Sequence, residues 1–373
     1  MNKPKIFFAS TLKPIDDIRM FYKLGLSLNS TNYELHFFGQ TNNSLKQSPN
    51  NIHLHPLKKF SRKSLFRLLT PWILLLKLIK VKPHILVINS TELLQLIFLY
   101  RIILGVKIVY DIQENHKKNI LHQNVYPRFI KPLFASSIRI METIASLFIS
   151  HFILAETSYE KELKFIGNRF TTLQNKSLIK QLQKTHITNT KNPTFIFTGT
   201  IAIEFGIQEA IQLFENYSKE NPLAQLHIIG KIPQLYTETL LKEYQIKNSR
   251  IKLFINKNPI DHKLIEDHIR TADFAFCTYQ NNKSFEGKTP TKVFEYLGSQ
   301  LPMITFSDLS FSSLILENNA GIILERQALK TTPLDISSNS SFYNTQATIN
   351  PFWEEEKEIF KSIIDEILKQ QDF

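Results

Sequence analysis

The sequence predicts an α/β protein of two domains, each built on a parallel sheet covered on both faces. Three observations carry this. Short apolar runs such as Lys5-Ile-Phe-Phe8, His84-Ile-Leu-Val-Ile88 and Val106-Lys-Ile-Val-Tyr110 alternate with helical stretches, as strands buried on both faces do. A polar tract, Lys176–Pro193, has almost no apolar periodicity, and the alternation restarts beyond it at Thr194-Phe-Ile-Phe-Thr198. Farther on, Asp273–Thr305 reads as strand, loop, helix, strand. The 373 residues suffice for two ordinary domains, placed at 1–180 and 190–348, with a closing helix over 349–373.

Taken in order, the first strand leads to a helix over Asp16–Leu28 and then to strand Tyr33–Phe38, which ends at Gly39. A polar loop through Asn42–Asn51 precedes strand Ile52–His55. Lys58–Lys80 is basic and apolar with one Trp, the composition of a helix at a membrane interface, and Pro71 is expected to kink or split it. Read simply as a core helix, it keeps a basic exposed edge. The apolar helix Glu92–Leu104 joins the next two strands, a long helix runs from Lys131 to about Ser150, and Phe152–Ala155 and Thr171–Leu173 are strands. In the second half, strands at Leu226–Ile229, Ile251–Phe254 and Gly321–Leu324 continue the alternation, with helices through Lys219, over Pro259–Arg270 and between Asp308 and Leu316. Gln327–Gln346 reads as loop, and Asn350–Phe360 as a helix led by Pro351 with acids in its first turn.

Composition bounds the partners. Hydrophobic residues are 43% and charged residues 21%, which describes a folded chain. The single Cys277 excludes an internal disulfide and fits a reducing compartment. No signal-peptide core is read at the N-terminus, and no apolar run approaches the ~20 residues of a spanning helix. The net charge of +12 calls for an anionic partner. Cations spread along the chain without a nucleic-acid module argue against nucleic acid.

The helix after Thr289 carries the clearest chemistry. Pro290 suits its first turn, Thr289 is a candidate cap, and Lys292 and Glu295 lie three apart on one face. A helix N-terminus with Thr291 and Lys292 suits a diphosphate, and Glu295 can accept hydrogen bonds from a ribose diol. Read alone, the same residues form a surface helix with a Lys–Glu pair. Gly199 and Gly206 bracket a loop between strand and helix that can bring backbone amides to a phosphate, and Lys231 follows a strand. Tyr110-Asp-Ile-Gln-Glu-Asn115 follows another strand, so Asp111 and Glu114 are expected to face a cleft at the strand ends. The cationic segment Lys117–Lys131, with His116, His122 and Tyr126, can meet a phosphorylated acceptor or form a solvated lid. Its histidines show no metal-ligand spacing with carboxylates, so no metal site is read.

Pro290-Thr-Lys-Val-Phe-Glu-Tyr-Leu-Gly-Ser-Gln-Leu-Pro-Met-Ile304 resembles the donor-site pattern P-T-K-x-F-E-Y-M-A-x-G-x-P-V-I of retaining, family-4-like bacterial glycosyltransferases of the GT-B fold. Asp17–Arg19, Tyr110–Asn115 and Gly199–Gly206 resemble further elements of that family. The resemblance implies two Rossmann-like domains facing a central cleft, with the C-terminal helix crossing back to the first and Trp353 anchoring the crossing. It implies that Glu295 holds the ribose of a nucleotide-sugar and that the turn before it holds the diphosphate, which Thr291 and Lys292 would neutralise beside the Gly199–Gly206 loop; Lys231 is read as a further phosphate or nucleotide-edge contact. On the acceptor side stand Asp17, Arg19 and Gln113, and the catalytic candidates are Asp111, Glu114 and Glu286. The pattern is broken at three points. Gln113 stands where the family has His and cannot take a proton; Gly287 stands where many members have a sugar-binding Glu, with Glu286 one place off; Thr200 and Glu204 replace a Gly and an Arg.

The implied activity is transfer of a hexose-type sugar from a nucleoside diphosphate to an acceptor hydroxyl, without a metal or other cofactor. A glycan or lipid-linked acceptor is expected, in a cytoplasmic protein that meets the anionic inner face of the membrane. The alternatives are a degenerate donor-binding partner protein, favoured by the three departures, and a sugar-nucleotide epimerase of the same fold.

Overall fold

The computed structural model describes residues 3–29, 32–41, 51–61, 64–122, 127–179, 192–258, 260–327, 329, 334–336, 341–344 and 347–370. The polar loop at 42–50, most of the linker, Tyr126 and Pro259 therefore lie outside the described residues. The chain divides into two compact units, Met1–Asn175 with Trp353–Phe373, and Lys176–Phe352.

The first unit holds strands β1 (Lys5–Pro14), β2 (Glu34–Gln40), β3 (Ile52–Leu57), β4 (Ile85–Ile88), β5 (Lys107–Ile112), β6 (His151–Leu154) and β7 (Phe170–Thr172). They form one parallel sheet in the order β3-β2-β1-β4-β5-β6-β7. Alternate residues along each strand feed two cores, as the two-residue repeat of a strand requires. Ile6, Phe8, Val87 and Val109 face one side, where they meet Phe21 and Leu24 of helix Ile18–Gly25 and Phe360, Ile364 and Ile367 of helix Glu354–Lys369. Phe7, Leu86 and Ile108 face the other, where Leu74 and Leu78 of helix Thr70–Val81 cover them. Trp353 closes the first side, donating from Nε1 to Ser27 Oγ at 3.0 Å.

The second unit holds β8 (Thr194–Thr200), β9 (Gln225–Lys231), β10 (Ile251–Asn256), β11 (Phe274–Cys277), β12 (Met303–Phe306) and β13 (Gly321–Leu324), again parallel, in the order β10-β9-β8-β11-β12-β13. Its core is one aromatic-rich cluster in which Phe195 stacks on Phe274 and Phe276. In both sheets the strand order reverses beside the first strand, between β1 and β4 and between β8 and β11. Ligands of open α/β sheets gather beyond the C-terminal strand ends at such a reversal.

Several local expectations change. The split expected at Pro71 is an exception and is present: a short helical turn, Leu65–Leu68, ends before it, and Pro71 lies in the first turn of helix Thr70–Val81, where no backbone N–H is needed. The helix expected through Ser150 ends at Ala145 and tightens into a turn over Ser146–Phe148. The stretch Glu92–Leu104 is two short helical pieces, Thr91–Leu96 and Leu99–Ile103. Helix Leu235–Lys247 carries too even a mixture of polar and apolar residues to announce itself.

Candidate functional site

In the second unit, residues from three neighbouring elements gather at the strand ends. Gly199, the next-to-last residue of β8, has a φ of +98° that suits glycine, and the loop that follows closes at Gly206 with φ of +84°. A Cβ on Gly206 would sit 1.7 Å from the carbonyl oxygen of Thr278, so helix Ile207–Glu220 can approach β11 only with glycine there. Helix Thr291–Gly298 follows β11. Pro290 is not in its first turn: with ψ of 142° it takes the N-cap place itself, one residue after Thr289, the expected cap.

Lys292 sits in the first turn of that helix, and its side chain is buried. Its ammonium lies 4.2 Å from the ring centre of Phe197 and 5.0 Å from that of Tyr279. Among the described residues Nζ has no hydrogen-bond partner. Burial pulls its pKa down to about 8, with Glu295 opposing. A buried cation held only by ring faces is costly and is well placed to receive an anion that brings acceptor oxygens with it.

Glu295, one turn on, is half-buried. Its Oε1 lies 3.5 Å from Nε2 of His262, whose Nδ1 lies 3.0 Å from Glu266 Oε1. The His262 pKa is raised to about 9, first by its hydrogen bond to Glu295 and then by Glu266 against the cost of burial. His262 opens helix His262–Thr271, which Asp261 caps. Sequence reading missed it, because nothing at position 262 announces a partner more than thirty residues away.

The sign of its titration gives a prediction. A histidine whose folded pKa is raised from 6.5 to about 9 adds stability that is full below pH 6.5 and lost as pH climbs through 9. Lys292, with its lowered pKa, works the other way, adding stability above about pH 8. Comparison with a His262→Gln variant removes the lysine's contribution. Between pH 6.5 and 9 the wild type is expected to lose unfolding temperature relative to His262→Gln, and parallel curves would show that the pair is idle.

The remaining donor-side candidates spread out. Thr291 is half-buried at the helix start, Lys231 ends β9 with an exposed side chain, and Glu286 is exposed on the turn before Gly287. Glu204 occupies the Gly199–Gly206 loop, where its carbonyl accepts from the backbone of Gln280.

In the first unit the strand ends at the β1/β4 reversal enclose a cavity of about 390 Å³. Lys13, Asn89, Ser90, Gln113, Glu114 and His116 supply polar walls, and Phe60, Phe134 and Ile138 apolar ones. Asp111 does not face it, contrary to expectation. The carboxylate is fully buried, taking 2.8–3.1 Å bonds from Arg19 Nε and Nη2 and a 2.6 Å bond from Gln113 Nε2. Arg19 is buried too, with Nε and Nη2 engaged by Asp111; Asp17 Oδ1 caps the helix by accepting from the backbone N–H groups of Arg19 and Met20. Gln113 lines the cavity and bridges Asp111 to Lys13. Glu114 is exposed and accepts from Asn119 Nδ2 at 2.7 Å.

Residues 179–332 match the family described as Glycosyl transferases group 1. No curated protein sequence matches the chain significantly. Among solved structures, WaaG, a glycosyltransferase of lipopolysaccharide biosynthesis, is 13% identical with a TM-score of 0.66, covering 95% of this chain and 99% of its own. HepE from Anabaena, solved with UDP and glucose, is 11% identical with a TM-score of 0.65, covering 98% and 99%. Sucrose-phosphate synthase from Thermosynechococcus elongatus is 12% identical with a TM-score of 0.65, covering 99% and 98%. The two parallel sheets are thus those of the GT-B fold. The match to the group 1 family falls within the second unit.

Proposed function

We propose that the second unit binds a nucleoside diphosphate sugar, with the diphosphate at Lys292 and the ribose at Glu295, and that the first unit presents an acceptor hydroxyl from its cavity. The buried ammonium of Lys292 carries this reading, since it lacks a hydrogen-bonding counter-group at a strand-order reversal. HepE was solved with UDP, and starch synthase IV of Arabidopsis with ADP and acarbose, which supports a nucleoside diphosphate here. In this reading Lys292 and the helix N-terminus stabilise the charge on the leaving diphosphate, and no metal is needed there. Transfer with retention of configuration, which the sequence resemblance implies, is part of the proposal. The test is release of free UDP or GDP from UDP- or GDP-hexoses with a chelator present. Turnover supports an enzyme of this kind; nucleotide binding without turnover favours the degenerate, donor-binding alternative.

We further propose that the acceptor is lipid-linked and met at an anionic membrane face. No helix among the described residues is long and apolar enough to cross a membrane. Yet helix Thr70–Val81 packs on Thr91–Leu96, which packs on helix Lys131–Ala145, and all three neighbourhoods leave large apolar side chains in the open. Trp72, Leu76, Ile102, Leu133 and Ile140 are each more than half exposed. Lys77, Lys80 and Arg101 lie among them in sequence. Apolar side chains flanked by cations suit an interfacial surface. The chain has two tryptophans, Trp72 exposed and Trp353 buried. Vesicles with anionic headgroups are therefore expected to shift tryptophan emission to the blue in the wild type but not in Trp72→Phe. An unchanged spectrum with vesicles removes the membrane from the proposal.

A further inference from the structure

The opposite end of the first sheet carries a cluster that the transfer reaction does not use. Glu34 is the first residue of β2, and His36, two residues on, points to the same face. In the parallel register His36 pairs with His53 of the edge strand β3. The two imidazoles stack with ring centres 4.7 Å apart. Both aim Nε2 at one carboxylate oxygen: Glu34 Oε1 lies 2.9 Å from His36 Nε2 and 3.5 Å from His53 Nε2. These ligand atoms all lie within 4.8 Å of one another.

We propose that Glu34, His36 and His53 form a binding site for a divalent transition-metal ion, with zinc the best fit, that ties β3 to the sheet. Two ligands at the ~2.0–2.1 Å bond length of tetrahedral zinc stand about 3.4 Å apart, and the two Glu34 distances bracket that separation. Two imidazoles and a carboxylate are a zinc donor set in which water takes the fourth place. His53 and Glu34 are open enough to admit it, with side chains 46% and 29% exposed. An outer partner is also present, because His36 Nδ1 lies 3.0 Å from His55 Nε2. When His36 Nε2 holds a metal, Nδ1 carries the proton and donates to His55, an arrangement that orients metal-bound imidazoles generally. Phe7 stacks on both His36 and His55 and fixes their planes. Lys5 competes as a cation, its Nζ standing 3.8 Å from Glu34 Oε1. Without a metal, the same contacts form a hydrogen-bonded chain from His55 through His36 to Glu34. The chain-order reading of histidine spacing is blind to this cluster, because its members meet across strands.

The test titrates zinc into metal-stripped protein by calorimetry and follows thermal unfolding with and without zinc. One equivalent is expected to bind and to raise the unfolding temperature, since an ion bound only by the folded state stabilises it. His53→Gln, a substitution at an exposed position, is expected to weaken binding at least about tenfold and abolish the rise; Glu34→Gln does the same. His55→Gln, which removes the outer partner, is expected to weaken binding by about 10–100-fold. No zinc uptake by the wild type, or uptake that His53→Gln and Glu34→Gln leave unchanged, overturns the proposal.

Discussion

Replacing Lys292 by Met is expected to lower kcat by roughly 100–1000-fold while leaving the protein as stable as before, or more stable by about 1 kcal/mol. The loss follows from removing a fixed positive charge from the leaving diphosphate, an effect of about 2.7–4 kcal/mol for comparable oxyanion donors. The absence of a stability cost follows from the resting state. Lys292 is buried on the faces of Phe197 and Tyr279 without a hydrogen-bond partner among the described residues, so an apolar side chain of similar length relieves a desolvated charge. A structural lysine would behave in the opposite way, losing stability along with activity. The same residue links donor binding to protons. Its pKa is held down to about 8 by burial, and a bound diphosphate raises it, so near pH 8 the wild type takes up protons as the nucleotide binds. Affinity then falls as pH rises above 8. Calorimetry in buffers of different ionisation enthalpy reads this uptake, and Lys292→Met should abolish it.

Asp111→Ala is expected to destabilise the first unit by about 3–5 kcal/mol, because it leaves the guanidinium of Arg19 buried without its counter-charge. For a unit of this size that is a fall of roughly 6–20 °C in unfolding temperature. Arg19 sits in helix Ile18–Gly25 with its guanidinium 5.9 Å from the Trp353 ring centre, so the loss spreads to the C-terminal helix that Trp353 precedes. Replacing both partners with apolar residues is expected to recover much of the stability. If Asp111 instead touched substrate, Asp111→Ala would keep its unfolding temperature and lose turnover alone. Gln113 stays in the cavity wall in either case, held by Lys13.

Local patterns in the sequence reported local structure well. Short runs of three to six residues became strands of two parallel sheets, and the spacing of Lys292 and Glu295 placed both on the opening turns of one helix. What the chain could not show is pairing at a distance. Arg19 and Asp111 stand 92 residues apart, and Asp111 looked like a cleft residue because it follows the apolar run of a strand, which in fact continues through it to Ile112. Its burial is decided by which helix lies over that strand end. His262 meets Glu295 only once helix His262–Thr271 is placed, and Glu34 meets His53 only through the β2–β3 register. The exposed apolar stripe was half legible. Composition marked Lys58–Lys80 as interfacial, but whether Trp72 and Leu76 face water depends on Leu74 and Leu78 taking the side against the sheet.

The most direct test of the donor-site claim is a calorimetric titration of UDP and GDP, without metal, into the wild type and Glu295→Ala. One nucleotide is predicted to bind, and loss of the ribose-binding carboxylate to weaken it at least about tenfold, or about 1.4 kcal/mol. Failure of both nucleotides to bind the folded protein, or equal affinity in wild type and Glu295→Ala, would contradict the assignment of Lys292 and Glu295 as the donor site.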